Sequence, residues 1–309
     1  MYTRLLLFLI LTTLISCKSS PENQAAKQVA NQATDQAANE AANQTDYLDS
    51  TVFQAKDKEI LQEIFEIHKG DSDEAVSTLM VRVGRFFLGT PYVAHTLEAE
   101  AEEQIIINLR ELDCTTFAEN CLALSRTIKS ENLLFDQFAA ELLDIRYRDG
   151  KLDGYPSRLH YFCDWIHNNQ QKMLISNLPE NLPQSSFIKE INFMSTHPAS
   201  YRQLKEDSTL IGSIAAQEKL ISSREMFFIP ETGVAEVEDQ LKDGDIVGIT
   251  TNIEGIAIQH VGILVRVEGR FHLLHASSKA EKVVLSEITL EEYLLNSKSA
   301  IGIMLARPL

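Results

Sequence analysis

Residues 112–124 read LDCTTFAENCLAL and place a cysteine at the start of a predicted helix. Apolar positions recur there at intervals of three and four residues, the spacing of one helix face: Cys114, Phe117, Cys121, Leu124 and Ile128. Asp113, Thr115 and Thr116 are residue types that cap helix N-termini, so we predict Cys114 in or beside the first turn. The helix dipole lowers the pKa of a thiol there, whereas burial raises it. Cys114 is therefore either a nucleophile served by a distant base or a small apolar residue.

A predicted β-hairpin near the C-terminus supplies candidates for that base. Residues 259–277 read QHVGILVRVEGRFHLLHAS, in which Glu268 and Gly269 separate two alternating runs and can form a two-residue turn. With that turn, Val267 pairs with Arg270, and the register of the two strands follows by counting outward.

This register brings two histidines together on one face of the sheet. Gly262 faces His275, and His260 lies two positions further along the same face, so His260 and His275 are diagonal neighbours. The glycine leaves room between them. The opposite face is predicted to be the core side, and carries Val261, Ile263, Val265, Val267 and His272.

A cysteine and two histidines suit acyl transfer. An imidazole takes the thiol proton, and it works best when a third polar group fixes its tautomer. Cys114, His260 and His275 fit these roles in that order. Taken singly, each histidine is more often an ordinary surface or core residue, and a metal site built from the same three side chains lacks a fourth ligand.

The elements that must position these residues predict an α+β fold, with helices first and antiparallel strands second. Helical spacing marks residues 56–70, 73–89, the segment from Cys114, 131–150 and 157–174, with a loop at 90–98 and a turn at 153–156. Residues 175–240 mix strand-like and helical pieces and are interpreted as a long insertion. Strands follow at 243–251, 259–267, 270–277, 282–288 and 300–308, and the last strands are predicted to form a β-meander.

Composition excludes some partners. The 309 residues are 44% hydrophobic and 23% charged, which is typical of a globular protein. A formal net charge of −16 argues against binding to nucleic acid or to anionic lipid through charge, since both need a cationic surface.

The N-terminus resembles a bacterial lipoprotein signal. Residues 1–17 combine Arg4 with a short apolar stretch and end in Leu-Ile-Ser-Cys, which resembles a lipobox with Cys17 as the lipidated residue; a plain secretory signal is the alternative. Lys18 follows the cysteine, which favours the outer membrane over the inner membrane of a Gram-negative bacterium. The Gln/Ala/Asn-rich repeat in residues 18–50 is predicted to be a tether, and residues 51–309 the folded domain.

With Cys17 lipidated, an odd number of cysteines remains. Cys114, Cys121 and Cys163 cannot all pair, so at least one thiol is free in an oxidising envelope. Packing is the expected role of Cys121 and Cys163, although a disulfide between them stays open.

Five motifs in one order carry a family resemblance: GTPYVA, LDCTTF, GDIVGI, QHVGIL and LLHAS. Together they resemble the NlpC/P60 superfamily of papain-like cell-wall hydrolases. GTPYVAHTLE and SRLHYFCDWI resemble the DUF1460 family within it, whose members are similar to N-acetylmuramoyl-L-alanine amidases. The resemblance runs from about residue 55 to the C-terminus.

The resemblance implies roles for single residues. Cys114 would be the nucleophile, His260 the base that later protonates the leaving amine, and His275 the orienting group. Tyr92 would stabilise the oxyanion together with the backbone N–H of Cys114; on spacing alone it could equally be a loop aromatic that covers the core.

The long stretch between Cys114 and His260 offers candidate substrate contacts in SRLHYFCDWI. Arg158 could bind a carboxylate, and Tyr161 and Trp165 could contact a sugar face. Their helical spacing is, however, more typical of core residues.

The function implied is cysteine-dependent hydrolysis of the N-acetylmuramoyl-L-alanine bond in peptidoglycan fragments, with 1,6-anhydro-muropeptides as the substrate class and an acyl-enzyme intermediate. We expect a monomeric, periplasm-facing lipoprotein that needs no cofactor or metal. The alternatives are a γ-D-glutamyl-diaminopimelate endopeptidase and a catalytically silent muropeptide-binding lipoprotein.

Overall fold

One antiparallel sheet, with apolar side chains packed on both faces, forms the centre of the protein. The computed structural model describes residues 51–98, 100, 102–176, 182 and 184–309. The predicted signal peptide at residues 1–17, with Cys17, and the tether at residues 18–50 lie outside the described residues.

Five helices precede most of the sheet, as their apolar spacing predicts. They are α1 (Ala55–Ile67), α2 (Val76–Phe86), α3 (Cys114–Lys129), α4 (Phe135–Arg146) and α5 (Phe162–Gln171). The turn expected before α5 contains Gly154 in the left-handed region, at φ 68°, a conformation that glycine adopts without steric cost. Among the described residues, no helix is long and apolar enough to cross a bilayer.

The predicted insertion contains short helices and strands. In chain order it holds β1 (Ile175–Ser176), β2 (Ser185–Ser186), α6 (Phe193–Thr196), α7 (Arg202–Glu206), α8 (Leu210–Ser222), β3 (Phe227–Pro230) and α9 (Val234–Val237). It adds β1, β2 and β3 to the sheet, while α6 and α8 pack against each other beside it.

The C-terminal strands lie where alternation predicts them. They are β4 (Ile246–Thr251), β5 (Ile258–Val267), β6 (Arg270–Ser277) and β7 (Lys282–Thr289), followed by α10 (Leu290–Leu295) and β8 (Ala300–Pro308). The strand order is β2-β3-β8-β4-β5-β6-β7, with β1 paired to β8, and all the paired strands are antiparallel. The β-meander is therefore limited to β4–β7. The expectation that it includes the last strand is wrong, because β8 crosses over to pair with β4 and β3.

The hairpin between β5 and β6 has the predicted register. Val267 pairs with Arg270, and Ile263 pairs with Leu274. Glu268 and Gly269 have φ values of 50° and 87°, and positive φ at both central residues is the hairpin geometry that matches strand twist. The turn thereby fixes which side chains of β5 and β6 share a face.

Both faces of this hairpin are packed, although sequence alternation identified only one. Val261, Ile263 and Val265 face the core formed with α1–α5, as predicted. The opposite face joins a second core, defined by Leu264 and Leu273 of the hairpin with Leu290 and Leu294 of α10. The two histidines therefore lie on a face that is apolar further along the strands.

A buried ion pair fixes α3 against α4. Glu119 and Arg146 are each 2% exposed, and Arg146 Nε lies 2.8 Å from Glu119 Oε2. Arg146 also donates to the Ile106 carbonyl at 2.7 Å. Separating the two helices would leave an uncompensated charge in the interior. The ion pair therefore holds α3, which begins with Cys114, in position against α4.

Gly262 should tolerate no side chain. A Cβ built on it would lie 2.5 Å from Leu273 Cδ1 and 3.1 Å from His275 Cβ. We expect Gly262→Val to lower the free energy of unfolding by about 1–3 kcal/mol, as overpacking does, and to displace His275. Urea denaturation checks the first effect.

Gly212→Ala, in α8, is the matched control, because nothing lies within 4 Å of a Cβ built there. It should be neutral or stabilising by up to about 0.5 kcal/mol. Equal destabilisation by both substitutions would contradict the close-packing argument.

Candidate active site

Cys114 is the first residue of α3, as its capping sequence predicts. Asp113 Oδ1 accepts a hydrogen bond from the Thr116 backbone N–H at 2.8 Å, and Thr116 Oγ1 accepts one from the Asp113 backbone N–H at 2.9 Å. This reciprocal cap satisfies free N–H groups of the helix start. It leaves the thiol at the helix N-terminus beside β5.

Burial decides the charge of this thiol. Cys114 is half-buried by exposed area, yet crowding around its sulfur raises the pKa to about 11, and the charge of Asp113 adds to this. Hydrogen bonds from the Val261 backbone and from Thr115 lower the pKa by less. Burial therefore favours the neutral thiol at pH 7.

The two histidines meet across the hairpin as the register predicts. His260 Nε2 and His275 Nδ1 are 2.5 Å apart, and the rings lie nearly perpendicular with centroids 4.8 Å apart. Burial lowers the pKa of His260 to about 4, and burial together with the charge of His260 lowers that of His275 to about 3. Both imidazoles are therefore neutral at pH 7.

A base role for His260 requires one particular tautomer. Because Nε2 of His260 is engaged with His275, Nδ1 is the nitrogen left to accept a proton from another group. For Nδ1 to accept it, neutral His260 must carry its own proton on Nε2 and donate it to His275 Nδ1. His275 can thus orient His260 and share the charge that appears when His260 is protonated.

The loop that carries Tyr92 is joined to the residues just before Cys114. Leu112 donates its N–H to the Pro91 carbonyl at 3.0 Å, and Val93 donates to the Leu112 carbonyl at 3.2 Å. Burial raises the pKa of Tyr92 to about 12, with further contributions from the charges of Cys114 and Asp113. Its hydroxyl therefore stays protonated and remains a hydrogen-bond donor near Cys114.

Cys114 and His260 line one cavity of about 230 Å³. Of the predicted substrate contacts, Tyr161 also lines it. The Tyr161 hydroxyl donates to Glu218 at 2.6 Å and accepts from the Met194 N–H at 2.9 Å. Both partners belong to the insertion, so Tyr161 links the lining of the cavity to the insertion. Its hydroxyl is already engaged in these two hydrogen bonds.

Arg158 is buried under this wall. It is 5% exposed, and its guanidinium lies 2.5 Å from Glu98 and 3.4 Å from Glu103. It also donates to the Leu97 carbonyl at 3.2 Å. Two carboxylates already neutralise Arg158, so the prediction that it binds a substrate carboxylate is corrected to a bracing role.

Trp165 has no exposed surface. Its indole stacks on Phe162 with ring centroids 4.6 Å apart, inside the core of α1–α5. It cannot reach a sugar in this position, so the structure assigns it to packing, the alternative that its helical spacing favoured.

Glu98, His160 and Tyr201 are among the lining residues that the sequence analysis did not single out. Glu98 belongs to the TPYVAHTLE segment and His160 to the SRLHYFCDWI segment, so the motifs contained both, but no spacing rule distinguishes them from ordinary surface residues. Tyr201 comes from the insertion, where local patterns do not indicate which residues reach the cavity.

The remaining cysteines have structural surroundings. Cys114, Cys121 and Cys163 are all free thiols, and Cys121 and Cys163 are buried, so the disulfide left open between them does not form here. Within the described ranges, no group of three or more His, Cys, Asp or Glu side chains is arranged to hold a metal ion.

We expect iodoacetamide to alkylate Cys114 at a rate that rises roughly tenfold per pH unit from pH 6 to 9, because the thiolate fraction of a thiol with a pKa near 11 grows in that way. Intact-mass spectrometry follows the reaction, with Cys114→Ala as the control that retains Cys121 and Cys163. A rate that reaches a plateau at neutral pH would mean a preformed thiolate and would contradict the neutral resting site.

Comparison with known proteins places this arrangement in a family. The N-acetylmuramoyl-L-alanine amidase-like family, AmiA-like, matches residues 82–303. No curated protein matches the sequence.

Several solved structures are similar. An N-acetylmuramoyl-L-alanine amidase from Bacteroides uniformis is 37% identical, with a TM-score of 0.72, and the match covers 75% of this chain and 98% of that one. A Bacteroides fragilis protein provisionally named a xylanase is 39% identical, with a TM-score of 0.68 and coverage of 72% and 98%.

A Legionella pneumophila protein of the DUF1460 family shares the fold at 19% identity, with a TM-score of 0.59 over 82% of this chain and 95% of its own. The α+β architecture predicted from sequence is confirmed by these matches together with the observed sheet. Since the family model spans residues 82–303, this chain belongs to the N-acetylmuramoyl-L-alanine amidase-like family.

Proposed function

We propose that this protein is a cysteine-dependent amidase with a papain-like NlpC/P60 core that hydrolyses the N-acetylmuramoyl-L-alanine bond of peptidoglycan fragments. One observation carries the proposal: the thiol of Cys114, at a helix N-terminus, lines a single cavity with His260, which is hydrogen-bonded to His275 behind it. The nucleophile helix packed on an antiparallel sheet that carries the base supports the papain-like description.

The acylation step uses neutral groups. Cys114 Sγ attacks the lactyl carbonyl carbon while His260 Nδ1 takes the thiol proton, so that a thiolate exists only as the new C–S bond forms. His275 accepts the Nε2–H hydrogen bond of the resulting imidazolium. The backbone N–H of Cys114 and the hydroxyl of Tyr92 would stabilise the oxyanion of the tetrahedral intermediate.

Collapse of that intermediate breaks the C–N bond. His260 returns its proton to the amine of L-alanine, and the peptide leaves with a free N-terminus. A muramoyl thioester remains on Cys114. Water, deprotonated by His260, then hydrolyses this thioester, releasing the muramic acid carboxylate and restoring the thiol.

Charge supports a small soluble substrate. The formal net charge of −16 weakens the approach of intact anionic peptidoglycan, and a cavity of about 230 Å³ holds only part of a muropeptide. We therefore propose 1,6-anhydro-muropeptides as the substrate class, acted on by a monomeric, periplasm-facing lipoprotein that Cys17 anchors to the outer membrane.

A glycosidase, as the provisional name of one relative suggests, is less well supported. Glycoside hydrolysis ordinarily needs two carboxyl groups on either side of the scissile bond. Among the described residues that line the cavity, Glu98 is the only carboxylate, and it is paired with Arg158. The amidase proposal instead uses Cys114 and His260, which both line the cavity.

The central test incubates residues 50–309 with an anhydro-disaccharide tetrapeptide and identifies the products by mass. We expect free disaccharide and an intact peptide that begins with L-alanine, and a loss of at least about 10³-fold in kcat/KM for Cys114→Ala. Disaccharide still attached to L-Ala-D-Glu would identify a stem-peptide endopeptidase. Absence of product from the wild type would favour a silent binding protein.

Glu98 is the candidate for recognising a substrate donor. Arg158 holds its Oε1, while its Oε2 is buried without a hydrogen-bond partner. A buried acceptor that gains a hydroxyl or N–H donor from the substrate contributes to binding. We expect Glu98→Gln to raise KM about tenfold, the effect of one charged hydrogen bond, with a smaller change in kcat.

Glu103→Gln provides the matched control. Glu103 contacts the same guanidinium, at 3.4 Å, and is not among the residues that line the cavity. It should lower thermal stability and leave KM unchanged. Equal increases of KM in both variants would mean that only the support of Arg158 matters, and would remove Glu98 from the binding site.

A further inference from the structure

We propose that Tyr293 is a positioning residue for the reaction, which holds the His260–His275 pair in its orientation and shields it from water. This inference rests on the proposed function, since it assumes that His260 is the base. Tyr293 lies outside the sequence motifs and is not among the residues that line the cavity.

Three aromatic rings form a closed group at this point. The Tyr293 ring lies nearly parallel to that of His260, at 18° with centroids 6.3 Å apart. It lies perpendicular to that of His275, at 89° and 5.6 Å. These are the offset-stacked and edge-to-face arrangements that aromatic pairs prefer, so Tyr293 contacts both members of the pair at once.

The helix that carries Tyr293 is anchored at its start and along its buried side. Thr289, at the end of β7, caps α10 by accepting a hydrogen bond from the Glu292 N–H at 3.2 Å. Leu290 and Leu294, on the same helix, are buried in the second core with at most 1% exposed. With residues on either side anchored, the Tyr293 ring has little freedom to leave the imidazoles.

The groups around the pair leave burial as the main control of its protonation. Ile249 of β4 stands opposite His260, and Val284 of β7 stands opposite His275. The titratable groups that face the pair are Cys114 on α3 and Tyr293 on α10, and both are neutral at pH 7.

The acidic residues of α10 are engaged elsewhere. Glu291 pairs with Arg270 at 2.8 Å, and Glu292 accepts a hydrogen bond from the Thr289 backbone N–H at 2.9 Å. No carboxylate among the described residues contacts either imidazole. Removal of water by neighbours such as Tyr293 therefore keeps the histidines uncharged.

This role makes a prediction about pH. Burial lowers the pKa of His260 to about 4, so the free enzyme should lose activity only as pH falls toward 4. Without the Tyr293 ring, water reaches the imidazoles and the pKa of the pair moves back toward the ordinary value of about 6.5. The acid limb of kcat/KM then shifts upward.

The experiment compares Tyr293→Ala and Tyr293→Phe in the full chain. Histidine side-chain NMR titration reads the protonation of His260 and His275 without reference to activity, and kcat/KM is measured from pH 4 to 8. We expect Tyr293→Ala to raise both midpoints by at least about one pH unit and to lower kcat several-fold. Tyr293→Phe keeps the ring and should behave as the wild type.

Two further variants control for a general effect of substitution in α10 and for a failure of Tyr293→Ala to fold. Leu295→Ala changes an exposed position of the same helix, 58% exposed, and should shift nothing. If Tyr293→Ala does not fold, Tyr293→Leu replaces it, because leucine keeps the apolar packing but is too short to cover the rings, and the same upward shift is expected.

Unchanged titration midpoints in the Ala or Leu variant would overturn the proposal, as would a loss of activity that is equal at every pH. A Phe variant as impaired as the Ala variant would overturn it too, since the hydroxyl would then be responsible. Because NMR does not require turnover, an upward shift in a protein without amidase activity would refute the proposed function and leave the shielding role standing.

Discussion

The site depends on a single hydrogen bond, the 2.5 Å contact between His260 Nε2 and His275 Nδ1 across two strands. This contact requires that the rings be diagonal neighbours with no side chain between them. The turn at Glu268 and Gly269 sets the register, and Gly262 supplies the space. Because the bond engages Nε2 of His260, Nδ1 is the nitrogen left to receive the thiol proton in the proposed mechanism.

Desolvation explains the electrostatics around that bond. Burial raises the pKa of Cys114 to about 11 and lowers that of His260 to about 4. A thiolate–imidazolium pair is therefore unfavourable at rest, and charge separates only as the substrate carbonyl is attacked. The imidazolium formed at that moment is stabilised by His275, which has an acceptor nitrogen ready, instead of by a carboxylate. Cys114 and His260 are therefore both uncharged before the reaction. This state requires that the surroundings of His260 exclude water.

Much of this arrangement follows from local sequence rules. Helical spacing and capping residues locate Cys114, and strand alternation with one turn locates both histidines, because each rule acts over a few residues.

The sequence could not show that β8 crosses to the far side of β4, since strand order depends on packing across the whole sheet. It also could not separate Tyr161, which reaches the cavity, from Trp165, four residues later and fully buried. Both lie on apolar helical spacing, and only the packing of the insertion decides which one is accessible. Tyr293 was missed for the same reason, because it meets the histidines through a second core that alternation did not predict.

The covalent role of Cys114 is the claim on which the account depends, and partition with hydroxylamine tests it most directly. During turnover of an anhydro-disaccharide tetrapeptide, hydroxylamine competes with water for an acyl-enzyme. The account predicts a hydroxamate on the muramoyl carboxyl group, whose share of the product rises with hydroxylamine concentration, and a peptide that still begins with L-alanine. Peptide release with no muramoyl hydroxamate at any hydroxylamine concentration would contradict it, because water would then attack the amide directly.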